Sequence, residues 1–317
     1  MKKVKIAVFG SLIYDSVCWG PRLPKKGETI CGYRNGFFTG GKGANQAVQA
    51  AKLGAEVYMI GKVGGDQPGK ILKQTLEGYG VKTDYLIVDE NENTGSCCIM
   101  VDDNGDNAIM IAQNANITIK KEEIEDALKV IDECDVLMFQ LETNFDAIEY
   151  VLDYAKKTGC KIVFNSAPAL ECPAYFFECA DYATPNETEC ERYTGIMPDF
   201  DDKETTHKAM EEMLKKGAKN VVFTLGSHGS YFGNADKEVY VPAYKIDAVD
   251  ATAAGDSFNA AFAYMIAAGA DEQTAMQFAN AAGAVTAMSS GAQPSLGTME
   301  QVKAFLEERG VKLDILD

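Results

Sequence analysis

The sequence predicts a three-layer α/β/α sandwich with a mainly parallel central sheet and a small projecting β-sheet lid. Short apolar runs such as VKIAVFG and NVVFTLG alternate with amphipathic helical patterns such as EEIEDALKVIDEC. Parallel strands that are covered on both faces have this near-continuous apolar composition. Two segments rich in β-formers and turn residues interrupt the alternation, at about residues 16–39 and 95–112. We expect them to form the lid of a single domain that spans residues 1–317.

The composition of the chain limits the classes of molecule that it is expected to bind. The chain has 317 residues with 30 Lys and Arg against 47 Asp and Glu, a formal charge of −17. This excess of carboxylates argues against binding to nucleic acid or to an anionic membrane. No apolar run approaches the ~18 residues that indicate a membrane span. The nine cysteines are scattered without a CxxC motif, so we expect reduced thiols and a cytoplasmic protein.

The first chemistry-bearing stretch is GGKGANQAVQAAKLGA, residues 40–55. It is a glycine-rich turn that enters a helix, but it lacks the GK[ST] ending of a phosphate loop and the strand-GxGxxG order of a dinucleotide fold. Its glycines allow close approach of the backbone, and Asn45 in the first turn can reach a polar ligand. An ordinary helix-start turn remains the alternative interpretation of this stretch alone.

The second stretch is DATAAGDSFNAAF, residues 250–262. Ala253, Ala254 and Gly255 have little or no side chain, so unpaired N–H groups at a helix N-terminus can approach an anion. Such an anion hole suits the charge that develops on a transferring phosphoryl group. Asp256 follows within reach and can accept the proton of an attacking alcohol. The alternative is an aspartate that only stabilises the helix dipole.

Together these stretches resemble the two signature regions of the ribokinase family of carbohydrate kinases. Further motifs that match the family occur in the family's order: GSLIYD, QLE, NSAPA, TPNETE, TLGSHG and GAQPS. The resemblance covers essentially the whole chain and implies a ribokinase-like fold. It also implies a phosphotransferase that moves the γ-phosphate of ATP to the O5 hydroxyl of a pentose, D-ribose or 2-deoxy-D-ribose.

The resemblance assigns roles residue by residue. Asp256 would be the catalytic base, and Ala253, Ala254 and Gly255 would form the anion hole. The residues expected to bind the sugar are Ile13, Asp15, Gly41, Lys42, Asn45 and Glu142.

ATP, Mg²⁺ and K⁺ are the implied cofactors. Glu189 would contact Mg²⁺ through water. The residues expected at the nucleotide are Asn186, Thr224, Gly226, Ser227, Gly229 and Asn280. Those expected around a monovalent cation, mostly through carbonyl groups, are Asp250, Thr252, Thr286, Ser289, Gly291 and Ser295. The lid would close over the sugar and join two copies of the chain as a homodimer.

The sequence departs from the family at Ile13, which stands where relatives usually have an asparagine that binds sugar hydroxyls. Isoleucine neither donates nor accepts, so a hydroxyl buried against it would lose about 1–3 kcal/mol. This favours a deoxy sugar, unless water or Tyr14 satisfies the hydroxyl. Ala251, where many relatives have threonine, is expected to affect cation affinity only.

Two alternatives remain open at this stage. One is a nucleoside kinase of the same family, and the other is a sugar-binding regulator without turnover. The presence of Asp256, the small-residue turn before it and Glu189 argues against the regulator.

Overall fold

The computed structural model describes residues 3–199 and 201–316. Met1, Lys2, Phe200 and Asp317 lie outside the described residues, so the expected domain of residues 1–317 is described except at these positions. Within the described part, thirteen strands and ten α-helices were identified.

The strands form two separate sheets. In chain order they are β1 (Lys5–Phe9), β2 (Ile13–Trp19), β3 (Arg34–Gly40), β4 (Glu56–Gly64), β5 (Leu86–Asp89), β6 (Gly95–Val101), β7 (Asn107–Ala112), β8 (Val136–Phe139), β9 (Lys161–Phe164), β10 (Tyr182–Ala183), β11 (Asn220–Thr224), β12 (Gly229–Asn234) and β13 (Glu238–Pro242).

The main sheet has nine strands in the order β13-β12-β11-β10-β9-β8-β1-β4-β5. Strand β1 lies near one end of this order and pairs in parallel with both neighbours, Ile6 opposite Val57 on β4 and Val136 on β8. Only β12, next to the edge strand β13, runs against the others, and it pairs antiparallel with both β11 and β13. The mainly parallel sheet expected from the sequence is therefore confirmed.

Helices cover both faces of this sheet. They are α1 (Lys42–Lys52), α2 (Gln67–Gly78), α3 (Lys121–Ile131), α4 (Phe145–Ala155), α5 (Ala174–Cys179), α6 (Glu187–Thr194), α7 (Lys203–Lys215), α8 (Ala254–Ala268), α9 (Glu272–Ala287) and α10 (Met299–Glu307). Side chains alternate along β1, because Ile6 and Val8 join the core that includes α8 and α9, while Ala7 and Phe9 join the core that includes α3 and α4. Two cores, one on each face, confirm the three-layer sandwich.

The second sheet has the order β3-β2-β6-β7. It starts beside the main sheet, where Ile13 is opposite Gly40 on β3 and Gly95 on β6. The sequence DDNGDN, within the expected lid segment of residues 95–112, forms the turn between β6 and β7, which pair antiparallel. Apolar side chains remain exposed on this sheet, including Phe37 at 57% and Met110 at 77%.

Within the described residues, none of the helices combines the length and the apolar composition that crossing a lipid bilayer requires.

Candidate active site

The glycine-rich turn before α1 packs directly on the segment that follows β1. Gly41 has φ 90°, and a Cβ there would lie 2.8 Å from Ile13 N and 2.9 Å from Ser11 O. A Cβ on Gly43 would lie 2.6 Å from Ser11 N. Contacts this short exclude any side chain. The glycines therefore bring the start of α1, with Lys42 and Asn45, against the base of the small sheet.

A carboxylate from the next strand along the main sheet meets this turn. Glu142, which follows β8, accepts hydrogen bonds through Oε2 from Lys42 N at 3.1 Å and from Ser11 Oγ at 2.5 Å. Asp15 on β2 faces the same space, and burial together with the charge of Glu142 raises its pKa to about 7. The residues expected to bind hydroxyl groups thus lie around one polar space at the base of the second sheet.

Asp256 lies in the first turn of α8 and is only 8% exposed. Its Oδ2 accepts from Asn45 Nδ2 at 2.9 Å, and its Oδ1 accepts from Gln46 Nε2 at 3.1 Å. Burial raises the pKa of Asp256, while Lys42 and the two amides act in the opposite direction. The two signature stretches are therefore joined at this carboxylate.

Lys42 carries the positive charge of this group. Burial lowers the pKa of Lys42, but the carboxylates of Asp256, Glu142 and Glu189 outweigh burial and raise it above its usual value. An ammonium held among carboxylates can bind an anionic or polyhydroxyl ligand.

The turn before α8 differs in one respect from the expectation. Ala253 caps the helix with φ 62°, a left-handed conformation that is rare for alanine. The N–H of Ala254 is not unpaired as expected, since it donates to Ala251 O at 3.1 Å. A Cβ on Gly255 would meet nothing within 4 Å outside its own helix and chain neighbours. The space in front of Gly255 is therefore open to a ligand.

A cleft of about 1060 Å³ opens beside this turn. Ala254 and Gly255 line one end of it, so the cleft reaches the start of α8. All the residues that the sequence placed at a nucleotide line it: Asn186, Thr224, Gly226, Ser227, Gly229 and Asn280. The sequence did not indicate residues 243–248 or Arg309, which line it as well.

Asn186 and Glu189 form a reciprocal cap at the start of α6. Asn186 N donates to Glu189 Oε2 at 2.9 Å, and Glu189 N donates to Asn186 Oδ1 at 2.8 Å. Burial raises the pKa of Glu189, and Lys42 and Asp256 lie close enough to influence it. The cap holds the acidic group of Glu189 near the carboxylate of Asp256, at the edge of the cleft.

The residues expected around a cation lie next to the turn before α8. Asp250 accepts from Thr252 N at 2.9 Å and from Gly291 N at 3.0 Å. Ser289 N donates to the carbonyl of Thr286 at 3.2 Å. Ser295 lies further along the same segment, where its Oγ donates to Ala292 O at 2.7 Å. Nowhere in residues 3–199 and 201–316 do three or more His, Cys, Asp or Glu side chains form a metal-binding group.

Sequence reasoning missed a set of buried polar residues behind Asp256. Gln46 touches Asp256 and Asn165, and Gln140 touches Gln46. Ser11, between Glu142 and Gly43, was missed as well. Gln46 follows Asn45 and Gln140 opens the QLE motif, but neither position indicates from sequence alone that its amide is buried.

Comparisons with known proteins identify the family of this chain. Residues 3–299 match the model of the pfkB family carbohydrate kinases. The chain belongs to this family, whose members are phosphotransferases with an alcohol group as acceptor. It is 34% identical over 302 residues to a deoxyribokinase of Salmonella typhi, covering 95% of this chain and 98% of the relative. It is 35% identical over 302 residues to a ribokinase of Haemophilus influenzae, with the same coverage of 95% and 98%.

A solved structure shares the fold over nearly its whole length. The ribokinase of Arabidopsis thaliana, solved in complex with ribose and ATP, superposes with a TM-score of 0.89 at 32% identity. The match covers 96% of this chain and 99% of that one. The ribokinase-like fold expected from the sequence is thus confirmed.

Proposed function

We propose that this protein transfers the γ-phosphate of ATP to the O5 hydroxyl of a pentose, D-ribose or 2-deoxy-D-ribose. The observation that carries the proposal is the position of Asp256. Its carboxylate accepts a hydrogen bond from Asn45, which lies at the polar space around Glu142. Ala254 and Gly255 of the same turn line the cleft. A base at the junction of two binding spaces suits transfer between their ligands.

The chain's own residues account for the acceptor side of the reaction. Asp15, Gly41, Lys42, Asn45 and Glu142 bind the sugar, because carboxylates and amides can share the hydroxyls of one polyol. Asp256 accepts the proton of the attacking hydroxyl, which makes the oxygen a better nucleophile as the new O–P bond forms.

The donor side rests on the cleft and on the start of α8. Asn186, Thr224, Gly226, Ser227, Gly229 and Asn280 bind ATP. Ala253, Ala254 and Gly255 form the anion hole, in which a Cβ on Gly255 would meet open space and the helix N-terminus favours negative charge. Bound Mg²⁺ would neutralise charge on the phosphates, with Glu189 and Asn186 contacting it through water.

A monovalent cation, K⁺, is proposed beside the anion hole. Asp250, Thr252, Thr286, Ser289, Gly291 and Ser295 would surround it, mostly through carbonyl groups. The link from Asp250 to Gly291 supports this, because it brings the turn before α8 against the 291–295 segment. A rise in melting temperature with K⁺ but not with a larger organic cation would support the site independently of activity.

The small sheet is proposed to act as a lid on the sugar and, by its exposed apolar side chains, as the contact of a homodimer. A lid excludes water, which competes as phosphoryl acceptor. A single domain over residues 1–317 and a cytoplasmic location are part of the same proposal, as is the absence of nucleic-acid and membrane partners.

The choice between the two pentoses depends on Ile13. This side chain is 3% exposed at the start of β2, directly opposite Gly40. An apolar group there favours a sugar that lacks a hydroxyl at the same place. The relatives include both deoxyribokinases and ribokinases, which supports treating both sugars as candidates.

The experiment is a coupled ADP-release assay with Mg-ATP and K⁺ on ribose, 2-deoxyribose and a panel of nucleosides. Highest turnover on a pentose supports the proposal. Highest turnover on a nucleoside would make the protein a nucleoside kinase of the same family, and sugar binding without ADP release would make it a regulator.

A further inference from the structure

We propose that Gln46 and Gln140 are positioning residues that orient Asp256 and keep its carboxylate ionised. The inference rests on the proposed role of Asp256 as the base. Neither glutamine is assigned to the sugar or to the nucleotide, yet both are fully buried. Gln46 contacts the buried carboxyl of Asp256 and Gln140 contacts Gln46, so two buried amides lie behind this acid and require a physical reason.

The amide of Gln46 has one orientation that satisfies all its neighbours. Its Nε2 donates to Asp256 Oδ1 at 3.1 Å and to Asn165 Oδ1 at 3.0 Å, so both N–H groups are used. Its Oε1 accepts from Gln140 Nε2 at 2.6 Å. A flipped amide would set oxygen against two oxygens and N–H₂ against N–H₂. The network therefore presents a donor, not an acceptor, to Asp256.

The other members of the network are held in turn. Asn165 Nδ2 donates to Thr184 O at 3.3 Å, which leaves its Oδ1 facing Gln46. Gln140 needs the space that Gly10 leaves, since a Cβ on Gly10 would lie 2.1 Å from Gln140 Oε1. Gln140 is thus fixed by packing and Asn165 by the backbone, and Gln46 is fixed between them.

This arrangement matters because Asp256 is buried. Burial raises the pKa of Asp256, and a protonated carboxyl cannot act as the base. Hydrogen-bond donors stabilise the charged form more than the neutral form and so act in the opposite direction, and Asn45 and Gln46 supply one to each oxygen. The other charged groups around Asp256 are Lys42 on α1, Glu142 after β8 and Glu189 on α6.

Two lone pairs stay available for catalysis. Each carboxylate oxygen has two acceptor sites, and the two amides occupy one on each. The fixed pair of donors sets the plane of the carboxylate, so the remaining sites keep a constant direction toward the acceptor hydroxyl. Loss of Gln46 is therefore expected to affect both the pKa of Asp256 and the orientation of its carboxylate toward the acceptor hydroxyl.

The test is the pH profile of kcat at saturating pentose and Mg-ATP, where occupied sugar sites remove the contribution of Asp15. In Gln46→Met the acid limb is expected to move up by about one to two pH units, the size of one hydrogen bond to a charged group. Gln140 makes no hydrogen bond to Asp256. In Gln140→Met a smaller shift of the acid limb in the same direction is expected, because the Gln46 amide is then free to flip.

Gln49→Met is the matched control. Gln49 lies on the same helix, is equally buried and bonds Gly297 O at 2.9 Å and Ser257 Oγ at 2.9 Å, but not Asp256. It is expected to lower the melting temperature without moving the acid limb. If Gln46 had only a structural role, all three variants would have a lower melting temperature and an unchanged acid limb.

Acid limbs that coincide in wild type, Gln46→Met and Gln140→Met would overturn the positioning role. If Gln46→Met fails to fold, Gln140→Met decides alone, and an unmoved limb in it is the contrary result. Asp256→Asn in the same assay separates this inference from the proposed function. Full turnover in Asp256→Asn refutes the base itself, whereas lost turnover with coincident limbs refutes only the positioning role.

Discussion

Asn45 Nδ2 donates to Asp256 Oδ2 across 2.9 Å, although the two residues are 211 positions apart in the chain. Asn45 lies in the first turn of α1 and Asp256 in the first turn of α8. Both helices start in the same region of the molecule. The chain passes from β3 into α1 through Gly41, and it enters α8 through Ala253, whose backbone conformation is left-handed. This hydrogen bond links the polar space around Glu142 to the turn that lines the cleft, so Asp256 lies between the two.

Gly41→Ala is expected to damage both stability and activity. The new Cβ would lie 2.8 Å from Ile13 N at φ 90°, so the backbone that carries Lys42 and Asn45 has to move. Gly54→Ala is the matched control, because its φ is 95° but a Cβ would meet nothing within 4 Å. The control is expected to lose only the left-handed strain of about 1–2 kcal/mol.

Urea unfolding and pentose kinetics measure the two effects. Gly41→Ala should be less stable than Gly54→Ala and should lose about tenfold or more in kcat/KM, since small displacements of binding groups are costly. Equal stability and equal activity of the two variants would refute the close approach at Gly41.

Asp15 gives the unliganded protein a specific pH dependence. Its pKa is raised from 3.8 to about 7, so the unfolded chain ionises first and folded stability falls as pH rises from about 4 to 7. Asp15→Asn stays neutral throughout. Its stability relative to wild type should therefore increase between pH 5 and pH 8, by about 2 kcal/mol.

Thermal and urea unfolding without sugar at both pH values check this. Asp84→Asn, at an exposed position, serves as control and should show the same difference from wild type at pH 5 and pH 8. A constant difference for Asp15→Asn as well would mean that Asp15 is not held in a buried, charge-opposed position.

Much of this site could be predicted from the sequence. The apolar runs of β1, β4, β8, β9 and β11 were sufficient for the core of the main sheet. The resemblance to the family supplied six residues of the cleft, but not residues 243–248 or Arg309. Strand β5 was missed because four residues, LIVD, give little periodicity. The antiparallel pair β12 and β13 was missed because their sequences, GSYFGN and EVYVP, are short and mix apolar with polar or glycine residues.

The hydrogen-bond network behind Asp256 could not be predicted from local sequence patterns, for a different reason. Gln46 and Gln140 have polar side chains that are usually exposed, and only tertiary packing buries them. The paired N–H of Ala254 likewise depends on the left-handed conformation of Ala253, which alanine adopts rarely.

Ile13→Asn is expected to shift sugar preference toward ribose. The new amide can bond a hydroxyl that the isoleucine leaves unpaired, an effect of about 1–3 kcal/mol. The ratio of kcat/KM for ribose over 2-deoxyribose should rise about tenfold. Ile13→Val keeps the surface apolar and should leave the ratio unchanged, and no shift in Ile13→Asn would remove Ile13 as the determinant.

Met110→Lys is expected to weaken the proposed homodimer. Met110 is 77% exposed on β7, beside Ile109 at 55% and Ile111 at 48%, and a charge buried there without a partner opposes association. Met197→Lys, outside the small sheet at 44% exposure, is the control. Light scattering coupled to gel filtration should show a dimer for wild type and for Met197→Lys. A dimer that persists in Met110→Lys would place the contact elsewhere.

Transfer of the γ-phosphate to O5, with Asp256 as base, can be checked by NMR of the product. After incubation with pentose, Mg-ATP and K⁺, phosphorus–proton correlation should connect the new phosphate to the two H5 protons. Asp256→Asn should lower the rate by about 10²–10⁴-fold while still binding Mg-ATP. A phosphate coupled to H1 instead, or an Asp256→Asn protein that forms product at the wild-type rate, would contradict the account.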